Sequence, residues 1–571
     1  MTSRTPAFVG LRTPLPHLDA SFQTAVRLVD DLRACARLAT GRDGYIAVSD
    51  GQYNRCHTWD PRDYDHVSKV AAYLWGMESA LDEQISDNIF ADQLDPQDGH
   101  LKTAYRQDQR GIHLGQFAKY AAERFRYAAD PEHLARHWEQ AVRFVRWAFA
   151  AYDALDAGLI DQLSPAATGP GHLQTFWAFF IGEPEHFPHT LSPHSKPLGV
   201  SMTFCALLDA LAGFGEARDL PGAAEIGERA RRVREILESD GYSEQRGYYY
   251  LQHDAFNRQW YFSVNGECED SRELFVIPYY ADEVCAVPER ARSVARVVHQ
   301  VLHDRHLFPM PITYPQYRWY GASTSCHFHA FGLERFLFRG CWDSPYASCV
   351  GLPSRVGLID TVVEAVRRRS EAICRDGDCL EWYYPDGSRG EAGTGDSYHR
   401  DRYGISATAH IAAVVEGLFG IRPVAPGFRH VRIAPAFPFR RDPAEWAATA
   451  LRHPASHPAA GWRHSAVNRW LDREVGLTVT LPGGRRFDWG CWRDTRTHQI
   501  RLTASDVAAV GHLRLPVEEE LAVASVRQAG RPLAFRLERE MDTPFLYFDC
   551  ALDGTDVVVD QRPRHAAGPR A

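Results

Sequence analysis

The fold of this chain is decided at one junction, where YGISATAHIAAVVEGLFG (403–420) runs directly into IRPVAPGFRHVRIAPAFP (421–438). The first stretch is almost entirely small or apolar, which predicts a helix that is buried on all sides. The second stretch is rich in proline, which ends a helix and marks a boundary. The sequence therefore predicts a different architecture on each side of this junction.

Upstream of the junction, apolar residues recur at the spacing of helices. The pattern predicts helices at 18–40, 66–85, 111–129, 131–155, 197–217, 221–239, 288–304, 324–338, 355–374 and 403–420, with shorter ones at 172–181 and 271–284. About twelve helices with mostly short loops are typical of an (α/α)6 toroid, in which six hairpins form an inner and an outer ring. Inner helices should be apolar nearly all round, and outer helices should carry a charged face. An irregular helical array is the alternative.

Downstream of the junction, short runs alternate between apolar and polar residues and are separated by Gly, Pro and Asp. REVGLTVTLPGG (473–484) and TPFLYFDCALDGTDVVVD (543–560) are examples. This alternation predicts antiparallel strands in a β-sandwich. The predicted fold class is therefore mainly α: an (α/α)6 toroid at 1–425, a C-terminal antiparallel β-sandwich at 426–560, and a disordered tail at 561–571.

The composition argues against several classes of protein and partner. Of the 571 residues, 45% are hydrophobic and 24% are charged, a globular balance that disfavours wholesale disorder, collagen and coiled coils. The net charge of −9 disfavours a nucleic-acid partner. No run approaches the roughly 18 apolar residues of a membrane span, and no glycine loop that cradles a phosphate precedes a helix, so neither a membrane partner nor a cofactor is expected. The oligomeric state is not indicated.

The 12 cysteines are scattered along the chain and form no CxxC pair, which disfavours a metal site. The first residues, MTSRTPAFVGLRTPLPHLDA, lack the basic and apolar regions of a secretory signal. Scattered thiols without a signal predict a reducing, cytoplasmic location.

The content of 14 Trp, 24 Tyr and 29 Phe suits a carbohydrate enzyme, although a large core also uses aromatic residues. In a toroid, the loops at one end of the inner ring form a cup in which functional residues should gather. The loop at 50–66 offers His57, Trp59, Asp60 and Arg62 to hold a sugar, whereas its other aspartates could simply cap the following helix.

Three further loops carry carboxylates. Glu185 lies with Glu183 and three histidines in 179–197, where the spacing matches no familiar metal-ligand motif. Glu267 lies in 262–275, in which Glu269 or Asp270 could cap the next helix. Glu381 is followed at once by Trp382 in the aromatic loop 376–404, which also contains His399 and Arg400. A fifth stretch, 311–323, contributes Trp319 as a possible subsite wall.

Several of these stretches resemble one family of enzymes. FGIRPVAPGFRHVRIAPAFP (419–438) resembles the segment that joins the toroid to the β-sandwich in bacterial α-L-rhamnosidases. LEWYYPDGS (380–388) and the residues after it resemble a rhamnosidase stretch and also an element of trehalase-like and glucosidase-like (α/α)6 enzymes. GEPEHF (182–187) resembles an element of the maltose phosphorylases. The Asp-rich acid motif of the rhamnosidases has no clear counterpart.

The resemblance implies an oligosaccharide or glycoside substrate and an inverting hydrolase with two carboxylates. Glu381 becomes the general base, and Glu185 becomes the general acid, with Glu183 or Glu267 as substitutes. We further expect His399 and Arg400 to orient Glu381 or the sugar, and Trp59, Trp319 and Trp382 to stack on sugar rings.

Three other functions stay open. A polysaccharide lyase could also pair an α-toroid with a β-sandwich, and it would use Tyr398, His399 and Arg400 on a uronate. A phosphorylase would need inorganic phosphate. A carbohydrate-binding protein without catalysis would bind sugar and leave it intact.

Overall fold

The structure is a computed structural model in which helices precede residue 419 and the long strands follow residue 474. It describes residues 10–13, 15–40, 125–127, 132–153, 155–160, 195–254, 258–261, 272–274, 276–303, 313–314, 341–342, 346–380, 382–383, 402–437, 475–481, 485–494, 496–518, 521–541 and 543–564. The helices predicted at 66–85, 172–181 and 324–338 lie outside these residues.

The described α-helices are α1 (Pro16–Thr40), α2 (Glu132–Tyr152), α3 (Leu198–Ala217), α4 (Ala223–Ser239), α5 (Ile277–Glu283), α6 (Pro288–His303), α7 (Tyr346–Val356), α8 (Ile359–Asp376) and α9 (Gly404–Ala412). Helix α9 continues as a π-helix over Ala413–Leu418.

The strands that precede α9 are short: β1 (Gly10–Arg12), β2 (Ser195–Pro197), β3 (Tyr242–Ser243), β4 (Tyr248–Tyr249), β5 (Gln252–Asp254), β6 (Gln259–Tyr261), β7 (Arg272–Glu273), β8 (Thr313–Tyr314), β9 (Cys341–Trp342) and β10 (Trp382–Tyr383). The later strands are β11 (Ile421–Pro423), β12 (His430–Ile433), β13 (Val475–Leu481), β14 (Arg485–Asp494), β15 (Gln499–Ala504), β16 (Ala509–Pro516), β17 (Leu521–Gln528), β18 (Arg531–Pro532), β19 (Phe535–Glu540), β20 (Thr543–Leu552) and β21 (Val557–Pro563).

The consecutive helices α3 and α4 show the expected difference between an inner and an outer helix. Helix α3 is buried around most of its circumference, whereas α4 buries only one stripe, Ala223, Ile226, Ala230, Val233 and Leu237. Among the described helices, α3 alone is long and apolar enough to cross a membrane by length and composition. Most of it is buried against other parts of the protein, as is common for the core helix of a folded domain.

The helix predicted at 271–284 begins later than its sequence pattern suggests. Arg272 and Glu273 form strand β7, and the helix starts at Ile277. The carboxylate of Glu273 accepts hydrogen bonds of 2.9 Å from the backbone N–H groups of Val276 and Ile277. Glu273 therefore satisfies donors at the start of this helix, a role that the sequence pattern had suggested for Glu269 or Asp270.

The sandwich consists of two sheets. The first has the strand order β1-β13-β14-β15-β21-β17-β18 and is antiparallel throughout. The second has the order β11-β12-β16-β20-β19. In the second sheet β12 pairs with β16 in parallel, a departure from the predicted antiparallel arrangement. A parallel pair needs a long crossover, and a long stretch of chain does separate these two strands.

The domain limits stay a prediction, but two observations bear on them. Strand β1 pairs with β13, so residues near the start of the predicted toroid contribute to the sandwich. At the other end, Gln561 and Arg562 belong to β21 although the sequence pattern predicts a disordered tail there.

The helical part and the sandwich share one apolar core at the 403–438 junction. The ring centroid of Trp489 in β14 lies 5.8 Å from the ring centroid of Phe419 and 6.5 Å from that of Phe437. Between these two phenylalanines the chain turns at Gly420, where φ is 65° and a Cβ atom would lie 2.2 Å from the carbonyl oxygen of Ala434. Glycine is therefore required at this turn.

Candidate functional site

The segment that contains Glu381, the predicted general base, continues into a short strand with a fixed partner. In β10, Trp382 pairs with Trp342 of β9 and Tyr383 pairs with Cys341, in antiparallel register. The backbone is therefore held immediately after position 381.

The backbone is also held immediately before position 381. Leu380 forms an isolated antiparallel bridge with Arg402, and the carbonyl of Cys379 accepts a 2.8 Å hydrogen bond from the N–H of Tyr403. Residues 402 and 403 lead directly into the buried helix α9. The segment is consequently fixed to the last described helix of the toroid as well as to β9.

Charged side chains form hydrogen bonds that hold the residues just before position 381. Helix α8 ends at Asp376 and is capped by Gly377, whose φ of 73° turns the chain sharply. One oxygen of Asp378 accepts the N–H of Cys379 at 3.0 Å, and the other accepts Nε of Arg402 at 2.8 Å. Arg402 also donates to Asp31 of α1 at 2.7 Å, so the first and the last described helices are both tied to this segment.

A buried positive charge lies beside the strand. Arg369 of α8 is fully buried, and its Cζ lies 5.0 Å from the ring centroid of Tyr383. Burial raises the pKa of Tyr383 to about 12 and that of Cys379 to about 12, and the charge of Arg369 opposes both shifts. Both groups are therefore neutral at physiological pH, and Arg369 supplies the positive potential on this side of the strand.

A buried polar cluster surrounds His410 on helix α9. Its Nε2 lies 3.0 Å from Oγ of Ser21, and its ring stacks on that of Tyr346 with centroids 6.1 Å apart. Burial, and secondarily Arg369, lowers the pKa of His410 to about 3, so the imidazole is neutral. Within the described residues, His410 Nδ1, Ser406 Oγ and Tyr346 Oη are buried without a hydrogen-bond partner.

Arg369, Tyr383 and His410 were not predicted from the sequence. An arginine on a helix suggests a solvated face, yet 367–369 are all buried in α8. His410 and Ser406 stand four residues apart on one face of an otherwise apolar helix, and this spacing was the available signal.

Most of the predicted site residues lie outside the described part of the chain. Of Trp382 only the backbone is described, in β10. The others that lie outside it are Glu381, Glu185, Glu267, His57, Trp59, Asp60, Arg62, Trp319, His399 and Arg400. Their roles and their mutual distances stay predictions. Among the described residues no group of three or more His, Cys, Asp or Glu side chains is arranged to hold a metal ion.

Comparison with known proteins places the fold among glycosidases of solved structure. No protein-family model matches the chain, and no curated protein matches it in sequence. A Streptomyces avermitilis α-L-rhamnosidase in complex with L-rhamnose aligns with 97% of this chain and 42% of its own at 12% identity and a TM-score of 0.58. The GH63 mannosylglycerate hydrolase of Thermus thermophilus aligns with 69% of this chain and 99% of its own at 13% identity and a TM-score of 0.50. A sialidase aligns with 97% of this chain and 41% of its own at 10% identity and a TM-score of 0.59.

These likenesses confirm the predicted fold class, the (α/α)6 toroid followed by a β-sandwich, and the predicted resemblance to rhamnosidases at the level of fold. This chain spans about two fifths of the length of the rhamnosidase (42%) and of the sialidase (41%). The three neighbours are named for different substrates, so the shared fold carries no information about which sugar is bound.

Proposed function

We propose that this protein is a glycoside hydrolase that inverts the anomeric centre and uses Glu381 as its general base. The observation that carries the proposal is the fixed backbone on both sides of position 381, within a fold shared with glycosidases. A general base must be held rigidly to align a water molecule, and strand pairing on each side provides that rigidity.

In the proposed mechanism, Glu185 protonates the departing glycosidic oxygen and Glu381 removes a proton from water on the opposite face of the sugar. Inversion requires the two carboxyl groups to stand roughly 6.5–9.5 Å apart, which leaves room for the water. The charge of Arg369, which lies against Tyr383 in the strand that follows position 381, favours an ionised carboxylate in this region.

The proposed substrate is an oligosaccharide or an aryl glycoside, and α-L-rhamnosides are the first class to test. The support for a rhamnoside is the resemblance of 419–438 to the rhamnosidase linker, together with the rhamnosidase of similar fold.

The test is a comparison of E381Q with wild type on a panel of aryl glycosides. We expect E381Q to lower kcat by about 10²- to 10⁴-fold while circular dichroism stays unchanged, because it removes the base and keeps its size. The matched control is E235Q on the outer helix α4, where the side chain of Glu235 is 63% exposed and pairs with Arg231; this variant should keep wild-type activity.

Proton NMR of the first product tests the stereochemistry, since inversion and retention release opposite anomers. A folded E381Q enzyme with wild-type turnover would reject the role of Glu381. Dependence on inorganic phosphate, or an unsaturated uronate product with ultraviolet absorbance, would replace hydrolysis by phosphorolysis or elimination.

A further inference from the structure

The last strand of the five-stranded sheet, β19 (Phe535–Glu540), has one paired edge and one open edge. It pairs with β20 on one side, and no strand of the described chain lies on its other side. The residues from Phe535 to Arg539 are all exposed. An edge of this kind presents backbone N–H and C=O groups to which another extended strand can bind.

One face of β19 is apolar although it is exposed. Phe535 and Leu537 stand two residues apart and therefore project from the same face of the strand. They are 38% and 45% exposed, whereas most large apolar side chains in the described part of the chain are buried. This face therefore has apolar surface that a contact with another molecule would remove from water.

The opposite face of β19 carries charges of both signs. Nε of Arg536 donates to Glu538 at 2.6 Å, and Cζ of Arg536 lies 4.5 Å from the ring centroid of Tyr547 in β20. Both charged side chains are largely exposed. They can therefore reach charges on a second molecule that binds to this edge.

The charges of β19 are complementary to those of a second copy of the same strand in one register. A two-fold axis perpendicular to the sheet pairs the two strands in antiparallel fashion and keeps each face on the same side. Centring the axis on Leu537 places Arg536 opposite Glu538 of the second copy, and the symmetry repeats this contact. The same register places Phe535 opposite Arg539 of the second copy, an aromatic ring opposite a cation.

The two neighbouring symmetric registers each bring like charges together. An axis centred on Arg536 places two arginines opposite each other, and an axis centred on Glu538 places two glutamates opposite each other. Like charges that lie directly opposite each other in a sheet are destabilising. The register centred on Leu537 avoids such pairs and is therefore the one that the charges favour.

We propose that β19 is the interface of a two-fold symmetric dimer, in which the five-stranded sheets of two copies join edge to edge. The guanidinium of Arg536 has several N–H donors, so it can bond Glu538 of its own chain and Glu538 of the second copy together. The contact is small, so we expect a dimer whose Kd is on the order of micromolar. The inference concerns self-association alone and stands whether or not the chain hydrolyses glycosides.

Sedimentation equilibrium of the full chain, from about 1 µM to about 500 µM, tests the proposal. We expect wild type to dimerise and R536E to raise the dimer Kd at least about tenfold, because both symmetry-related attractions become repulsions. E538R should have the same effect for the same reason. The control R231E makes the same charge change on helix α4, where the side chain of Arg231 is 55% exposed against 65% for Arg536, and should dimerise like wild type.

A mixture of the two variants tests the register. At positions 536 and 538, R536E carries two negative charges and E538R carries two positive charges. Each variant therefore repels itself in the register centred on Leu537, whereas the two variants attract each other. We expect the mixture to form a heterodimer with about the affinity of the wild-type dimer.

Three results would each overturn the proposal: wild type stays monomeric over the whole concentration range, folded R536E dimerises as tightly as wild type, or the mixture associates no better than the separate variants. Circular dichroism checks that each variant is folded. If R536E or E538R does not fold, L537E replaces it, because it places two carboxylates at the centre of the contact. L537E should also raise the dimer Kd at least about tenfold, and dimerisation of folded L537E at wild-type affinity would equally overturn the proposal.

Discussion

Replacing Arg422 with methionine should strongly destabilise the protein. Arg422 belongs to β11, immediately after the turn that joins the helices to the sandwich. Its Nη2 lies 2.6 Å from Oδ2 of Asp282 in α5, and its Nε lies 3.3 Å from Oε2 of Glu416 in the π-helix. The side chains of Asp282 and Glu416 are only 3% and 7% exposed. This one guanidinium thus compensates two buried carboxylates from different helices.

The magnitude follows from what the substitution leaves behind. Methionine fills the aliphatic volume of Arg422 and removes its charge, so Asp282 and Glu416 stay buried without their cation. Removing one partner of a buried ion pair costs about 3–5 kcal/mol, which is a large part of the roughly 5–15 kcal/mol that stabilises a typical protein. We therefore expect R422M to lose about 3–5 kcal/mol of unfolding free energy.

Urea unfolding followed by tryptophan fluorescence measures this loss, with R231M as the matched control. Arg231 of α4 also bridges two carboxylates, Glu228 and Glu235, but on the surface, so its loss should cost under about 1 kcal/mol. Adding D282N to R422M should recover part of the stability, because one uncompensated charge disappears. An R422M variant that loses no more unfolding free energy than R231M would contradict this prediction, and so would a D282N/R422M double variant that is no more stable than R422M.

Two further predictions concern pH. Burial lowers the pKa of His410 from 6.5 to about 3, so its stabilising contribution is complete above pH 6.5 and is lost as the pH falls. As the pH falls from about 7.5 to about 5, the free energy of unfolding of H410Q should therefore rise by about 2 kcal/mol relative to that of wild type, as measured by urea unfolding. Parallel pH profiles of the two proteins would contradict this. Burial raises the pKa of Glu371 from 4.5 to about 7, so its contribution is complete below pH 4.5 and is lost as the pH rises through 7. As the pH rises from about 4.5 to about 8, the free energy of unfolding of E371Q should rise by about 3 kcal/mol relative to that of wild type. If the difference in unfolding free energy between the two proteins does not change with pH, burial leaves this carboxyl ionised.

Helices with a clear apolar stripe could be predicted closely from the sequence. The prediction at 288–304 corresponds to α6 at Pro288–His303, whose stripe buries Val294, Val298 and Val301. Helix α7 could not be predicted in this way because Gly351 and Pro353 disfavour a helix. It forms nonetheless because nearly all of its residues are buried, so that packing outweighs the low helix propensity.

The pairing of β12 with β16 could not be predicted from alternation, because alternation specifies a strand and not its neighbour. The burial of charged residues on α8 could not be predicted from the sequence either. Glu364 accepts hydrogen bonds from Arg367 and Arg368, and all three side chains are buried. A sequence pattern alone suggests that such residues are solvated. For the site, the sequence predicts a role for Glu381, which stays a prediction, while the burial of Arg369 against Tyr383 is seen only in the packing.

The pairing of β1 with β13 has a consequence for how the molecule assembles during synthesis. Leu11 pairs with Leu477, so β1 leaves the ribosome long before the strand that completes its hydrogen bonds has been made. Such a distant contact is expected to form late, and until then β13 would present an open sheet edge that favours association between copies. Deleting residues 10–12 would make that exposure permanent.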